Sequence, residues 1–122
     1  AHRDVASHTE YLRWIRDQSC SLGLDGYPGR LVSPHMRTVT LKKLMDMGYG
    51  ERLCPSHDCI CLHIHNEQAD GTIAEQHDFH KSNPDQYLFM HRHVIPELQE
   101  LGATDRDIEM LFVDNPRRLF EA

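Results

Sequence analysis

The chain has 122 residues, 39% of them hydrophobic and 26% charged, the composition of a folded segment rather than a disordered one. A formal net charge of −6 with no block of Lys and Arg excludes a large nucleic-acid footprint, and the apolar runs are far too short to span a bilayer. The four cysteines (Cys20, Cys54, Cys59 and Cys61) match neither zinc-finger nor thioredoxin spacing and no secretory h-region is visible, so reduced thiols and a cytoplasmic location are expected.

The chain opens on Ala1-His2-Arg3-Asp4 rather than Met, which suggests a piece of a longer polypeptide. Ser7-His8-Thr9-Glu10 has the form of a capping box and predicts a helix over residues 8–18, with Leu12 and Ile15 inward. Residues 20–24 read as a buried strand that runs into the loop Asp25-Gly26-Tyr27-Pro28-Gly29. A second helix is predicted over residues 37–47, striped by Leu41, Leu44 and Met45 and capped by Gly48. Residues 52–55 read as a second strand, ending in Ser56-His57-Asp58.

Residues 59–86, rich in His, Asp, Asn and Gln, read as one long loop, and loops of that length are usually functional or disordered. A third helix is predicted over residues 87–101, with Leu88, Ile95, Leu98 and Leu101 in register, Pro96 forcing a kink or break, and Gly102 ending it. Thr104 then caps a short helix through Leu111, which Asn115-Pro116 stops, and residues 117–120 form a last turn. Strands alternating with helices argue for βα units and a parallel sheet. Two strands cannot make such a sheet buried on both faces, so further strands are expected upstream or in another chain.

Three stretches resemble the phosphotriesterase-related branch of the amidohydrolase superfamily. They are His2-Arg3-Asp4 with Gly23-Leu24-Asp25-Gly26-Tyr27, then the run Met47-Gly48-Tyr49-Gly50-Glu51-Arg52-Leu53-Cys54-Pro55-Ser56-His57-Asp58, and last Val94-Ile95-Pro96-Glu97-Leu98 with Leu101-Gly102 and Val113-Asp114-Asn115-Pro116-Arg117-Arg118-Leu119-Phe120. Their order and spacing match the last third of that family. The resemblance implies an α/β fold, with residues 1–122 forming a single partial domain. That domain would be the C-terminal part of a TIM (β/α)8 barrel, about strands six to eight and their helices, incomplete in this chain. Catalytic groups in such barrels sit at the C-terminal ends of the strands.

By that resemblance Asp58, ending strand eight, is the catalytic residue and a metal ligand. A carboxylate is a hard oxygen ligand and can take a proton from a water beside a metal. A loop-start Asp that merely caps a turn would look the same. His2 matches the histidine after strand six, a ligand of a second metal, although a second residue is also the usual place for a frayed terminal His. Asp25 closes strand seven and would orient a ligand without binding metal itself, or simply serve the turn before Gly26, where several relatives carry His or Arg. His57 alternates with Asp58 along a strand and so is expected to support the site from behind. Cys59, Ile60 and Cys61 would begin the loop that lines the substrate pocket.

The complete barrel would hold two divalent metal ions, zinc by preference, bridged by a hydroxide that attacks a small-molecule ester, phosphotriester or lactone. The family's remaining ligands, on strands one, four and five, are not in this sequence, so the 122 residues alone are expected to be inactive. Two other readings compete. Cys59, Cys61, His63 and His65 alternate and would share one face of an extended segment as a non-catalytic zinc site, although residues two apart on one strand rarely close a tetrahedron. An interaction module would instead pair its open sheet edges with a partner or a second copy, giving a homo-oligomer. His77, Asp78 and His80 could equally contact substrate or solvent, and His91 and His93 read as surface groups.

Overall fold

The computed structural model describes residues 9–29, 32–57 and 83–121. Helix α1 (Thr9–Asp17) buries Leu12 completely and leans Ile15 on the core. Its outer side carries Tyr11 and Trp14, whose rings stack with centroids 6.1 Å apart. Ser7, the expected cap, lies outside the described residues. Strand β1 (Leu22–Tyr27) follows, two residues later than the apolar run suggested and longer at its far end.

Helix α2 (Pro34–Leu44) starts three residues before the expected position. Ser33 caps it by accepting from the Met36 N–H at 3.3 Å, and Pro34 occupies the first turn, where its missing N–H costs nothing. The helix widens into a π-turn, Met45–Tyr49, which Gly48 closes in the left-handed region at φ 81°, the glycine cap the sequence indicates. A 3-10 turn, Gly50–Arg52, then delivers strand β2 (Leu53–His57).

The strands pair in parallel, Leu22 beside Leu53, Gly23 beside Cys54, Leu24 beside Pro55 and Tyr27 beside His57. Leu22, Leu24, Leu53 and Pro55 point into the helices and are buried. The alternate residues show the other face. Gly23 and Cys54 are half-buried, and Asp25 and Ser56 are exposed. One face of this sheet is therefore covered by helices and the other stands open among the described residues. Parallel sheets are normally buried on both faces, so an open inner face is what a segment of a (β/α)8 barrel presents.

In the last described stretch, a 3-10 turn (Gln86–Leu88) leads into a π-turn (Met90–Val94) and α3 (Ile95–Glu100). The kink expected at Pro96 takes this form. The Ile95 N–H reaches back five residues to the Met90 carbonyl, so the carbonyl that the proline ring would strike is displaced. Gly102, at φ 92°, closes α3 with the Ala103 N–H on the Leu98 carbonyl at 2.9 Å.

Helix α4 (Asp105–Glu109) starts from a capping box in which Thr104 and Asp107 satisfy each other's backbone N–H. Those bonds to the carboxylate, from the Thr104 backbone first, hold the Asp107 carboxyl below its ordinary range. Asn115-Pro116 does not stop this helix. A third π-turn (Met110–Asp114), with the Asn115 N–H on the Met110 carbonyl, admits Pro116 into the first turn of α5 (Asn115–Phe120). No helix among the described residues is long and apolar enough to cross a membrane.

The core is a run of leucines from α1, both strands, α2, α3 and the turn Met110–Asp114: Leu12, Leu22, Leu41, Leu53, Leu98 and Leu111 are each at 1% exposure or less. Full burial of one such side chain contributes roughly 1.5–3 kcal/mol, so these contacts hold the helices to one face of the sheet. At the N-terminal end of β2, buried Asn115 donates from Nδ2 to the Gly50 carbonyl at 2.7 Å and the Leu53 carbonyl at 2.8 Å. The last helix is thereby tied to the entry of the strand whose other end leads to Asp58.

Candidate active site

The C-terminal ends of β1 and β2 lie side by side, and β1 carries one residue more than its partner there. Between Leu24 and Tyr27 the register slips, so that Asp25 and Gly26 together oppose Ser56. This is a β-bulge, and bulges re-aim side chains at the rims of barrels. Gly26 makes it possible by taking φ 90°, a left-handed backbone that a side chain would strain. Asp25 is exposed on the open face, and the residue that the local pattern makes the first of a loop is part of the strand.

Behind the bulge lies Arg37, on the first turns of α2 and only 4% exposed. Its Nη1 donates to the Asp25 carbonyl and its Nε to the Val32 carbonyl, each at 3.3 Å. Gly29 packs on the same guanidinium, with φ 87° and no room for a Cβ, which would sit 2.5 Å from Nε. Nη2 has no partner among the described residues, nor has the Tyr27 hydroxyl, which is equally buried. Burial pushes the Tyr27 phenol up to about 12, partly offset by the Arg37 charge and by the nearby Thr38 hydroxyl, which makes no hydrogen bond to the phenol and donates instead to the Pro34 carbonyl. His35 Nδ1 meets Glu97 Oε1 at 2.5 Å and ties the start of α2 to α3.

The end of β2 is held differently. His57 Nε2 lies 2.9 Å from the Tyr87 carbonyl, and its ring meets the Tyr87 ring edge-on at 5.5 Å. A carbonyl can only accept, so Nε2 carries the proton and is not free to bind a metal. The turn that supplies Tyr87 is fastened in its own right. Asp85 accepts from His93 Nε2 and Arg92 Nη1, both at 2.5 Å, and these bonds, the His93 bond first, hold its carboxyl below the ordinary range. Cys54, on the open face of β2, has its thiol raised by burial, which keeps it protonated and unreactive near neutral pH.

Of the residues singled out from sequence, the structure places Asp25 and His57 at adjacent strand ends. His2, Asp58, Cys59, Ile60 and Cys61 lie outside the described residues, as does the run through His65. Among the described residues no group of three or more His, Cys, Asp or Glu is arranged to hold a metal. Sequence reasoning missed Arg37, Asp85 and Asn115. Arg37 stands in line with Leu41 and Leu44, at i, i+4 and i+7, and Asn115 four residues after Leu111. A polar residue on a buried stripe was the available signal for both.

The sequence model of the phosphotriesterase family matches residues 1–120. A phosphotriesterase homology protein of Mycobacterium tuberculosis is 29% identical over 123 residues, covering 98% of this chain and 35% of that protein. An aryldialkylphosphatase of Saccharolobus solfataricus is 26% identical over 121 residues, covering 98% and 37%. Among solved structures, the phosphotriesterase from Mycobacterium tuberculosis superposes with a TM-score of 0.76 at 27% identity, covering 94% of this chain and 34% of that one. The chain thus spans about a third of the length of the curated relatives it matches.

Proposed function

The chain belongs to the phosphotriesterase family, and from that premise we propose that it supplies the closing strands of a metal-dependent hydrolase barrel that cleaves small-molecule esters, phosphotriesters or lactones. One observation supports this most. Two parallel strands covered by helices on one face carry Asp25 on the other and end side by side where such barrels place their chemistry.

In this reading Asp58, the residue after β2, and His2 are metal ligands. Divalent metals held there, zinc by the chemistry of His and carboxylate donors, supply Lewis acidity and a water of lowered pKa. His57 turns toward the Tyr87 carbonyl, and because side chains alternate along a strand, a continued β2 would give Asp58 the face of Cys54 and Ser56. The Asp58 carboxylate accepts the proton that the nucleophilic water gives up and returns it to the leaving group. Asp25, across the bulge, orients the groups around it. Cys59, Ile60 and Cys61 begin the wall that receives the substrate. With the family's other ligands on earlier strands, hydrolysis requires the remaining barrel, and these 122 residues alone do not turn over substrate.

The test is metal content and hydrolysis of aryl phosphotriesters, aryl esters and lactones by the protein expressed from its complete gene, native and Asp58→Ala. About two ions per chain are expected, as in two-metal sites, with both metal and turnover falling in the variant. Unchanged metal in the variant, or none in either, would sink the assignment of Asp58. Metal kept by Asp58→Ala but lost with Cys59→Ser and Cys61→Ser would move the site to the Cys59 to His65 run.

A further inference from the structure

Arg37 is a buried cation whose only partners among the described residues are two main-chain carbonyls, those of Asp25 and Val32. A charge is costly to bury, and neutral acceptors at 3.3 Å compensate it weakly. Packing alone would favour Leu or Met at this place on the Leu41 and Leu44 stripe. What the guanidinium does that an apolar side chain cannot is hold two peptides at once. The peptide between Asp25 and Gly26 needs such a hold. Gly26 lacks a Cβ and sits at φ 90°, so local sterics do little to choose the orientation of that peptide. Its carbonyl is pinned from the helix side by Nη1, the return of the chain is pinned at Val32 by Nε, and Gly29 closes against the same group.

We propose that Arg37 is a positioning residue. By fixing the Asp25 carbonyl on the helix side of the bulge it fixes the direction in which the Asp25 carboxylate leaves the open face. Its kinetic consequence rests on the hydrolase reading above, but its structural one does not. A lysine cannot substitute, because a single ammonium lacks the planar fork that spans both carbonyls.

The experiment uses the protein from its complete gene, with Arg37→Lys, Asp25→Asn and the double variant. Arg37→Lys is expected to speed hydrogen exchange in peptides covering the end of β1 and the start of α2, leaving the rest unchanged. It should lower kcat about tenfold, the loss typical of a group that orients an active-site residue, with KM little altered. In the Asp25→Asn background the same change should have no further effect on kcat, because the route runs through Asp25. Equal losses in both backgrounds, or unaltered exchange in those peptides, overturns the proposal.

Should Arg37→Lys fail to fold, Gly29→Ala presses on the guanidinium from the loop side and should loosen the same peptides locally. Global unfolding of both variants would make Arg37 a core support and overturn the proposal as well. If the native protein proves to be no hydrolase, exchange decides alone. Local loosening then keeps Arg37 as the pin of the bulge while the proposed function falls.

Discussion

The two ends of the paired strands are held by opposite means. At the N-terminal end, Leu22 and Leu53 are fully packed and Asn115, 3% exposed, clamps the entry of β2 through two buried bonds. At the C-terminal end, Asp25 is exposed, His57 leans on one carbonyl of a distant turn, and that turn is fastened by exposed Arg92 and His93. Burial concentrates stability at one end and leaves the other adjustable. Barrel enzymes divide their labour in the same way, with stability at the bottom of the strands and chemistry at the top. Arg37 and Tyr27 are the exceptions, buried polar groups at the adjustable end.

The largest effect should come from the bottom. Asn115→Asp keeps the shape of the side chain but replaces the Nδ2 donors with an acceptor that faces the Gly50 and Leu53 carbonyls. An unpaired group buried in this way costs roughly 3–5 kcal/mol, read as a lowered urea midpoint with an unchanged slope. A loss below about 1 kcal/mol would mean that the clamp is dispensable and that the two ends do not differ as described.

The second effect tests the buried exception at the top. The Tyr27 phenol is raised from 10.0 to about 12, chiefly because burial disfavours the phenolate. The folded value lies above the unfolded one, so this contribution is fully present below pH 10 and is lost as pH rises through about 12. Two units correspond to roughly 3 kcal/mol over that window. Tyr27→Phe should remove that part of the alkaline decline and change stability at neutral pH by less than about 1 kcal/mol, since the hydroxyl has no partner among the described residues. An identical alkaline decline in the variant would assign the loss to other groups.

What could be read from the sequence follows the same division. The helices were legible because Leu41 with Leu44, and Leu98 in its register, repeat at helical spacing and are buried. Gly48, Gly102 and Thr104 announce the ends they make, since each supplies a backbone or a hydrogen bond that few residues can. The strands were found but displaced. An apolar run marks a strand buried on both sides, whereas β1 has one open face among the described residues, so Asp25, which is exposed, followed by a glycine looked like a turn. Asn115-Pro116 looked like a stop because proline excludes an ordinary α-turn, and a π-turn that admits it has no local signature. Arg37 was marked only as a polar residue on a buried stripe, which does not name its main-chain partners, the Asp25 and Val32 carbonyls, and the bonds of Asp85 to the Arg92 and His93 side chains have no local signature. The reading of Asp58 and His2 as ligands comes from resemblance and not from local pattern, and both lie outside the described residues.

The smallest effect should come from the exposed fastening at the top. Hydrogen bonds from His93 first and Arg92 second hold the Asp85 carboxyl below its ordinary value of 3.8. Its folded value lies below the unfolded one, so its contribution is present above about pH 4 and is lost as pH falls through the lower folded value. Solvent and salt screen such a pair, so Asp85→Asn should barely move the global midpoint, and any difference should fade as salt is added. Its effect belongs in the turn itself. Hydrogen exchange over residues 86–94 should quicken, because the carboxylate no longer anchors Arg92 and His93, and the Tyr87 carbonyl should then hold His57 less firmly. If Asp85→Asn instead lowered the global midpoint as far as Asn115→Asp, the top of the strands would be as tightly coupled to the core as the bottom. The contrast between the two ends would then be one of solvent exposure and not of stability.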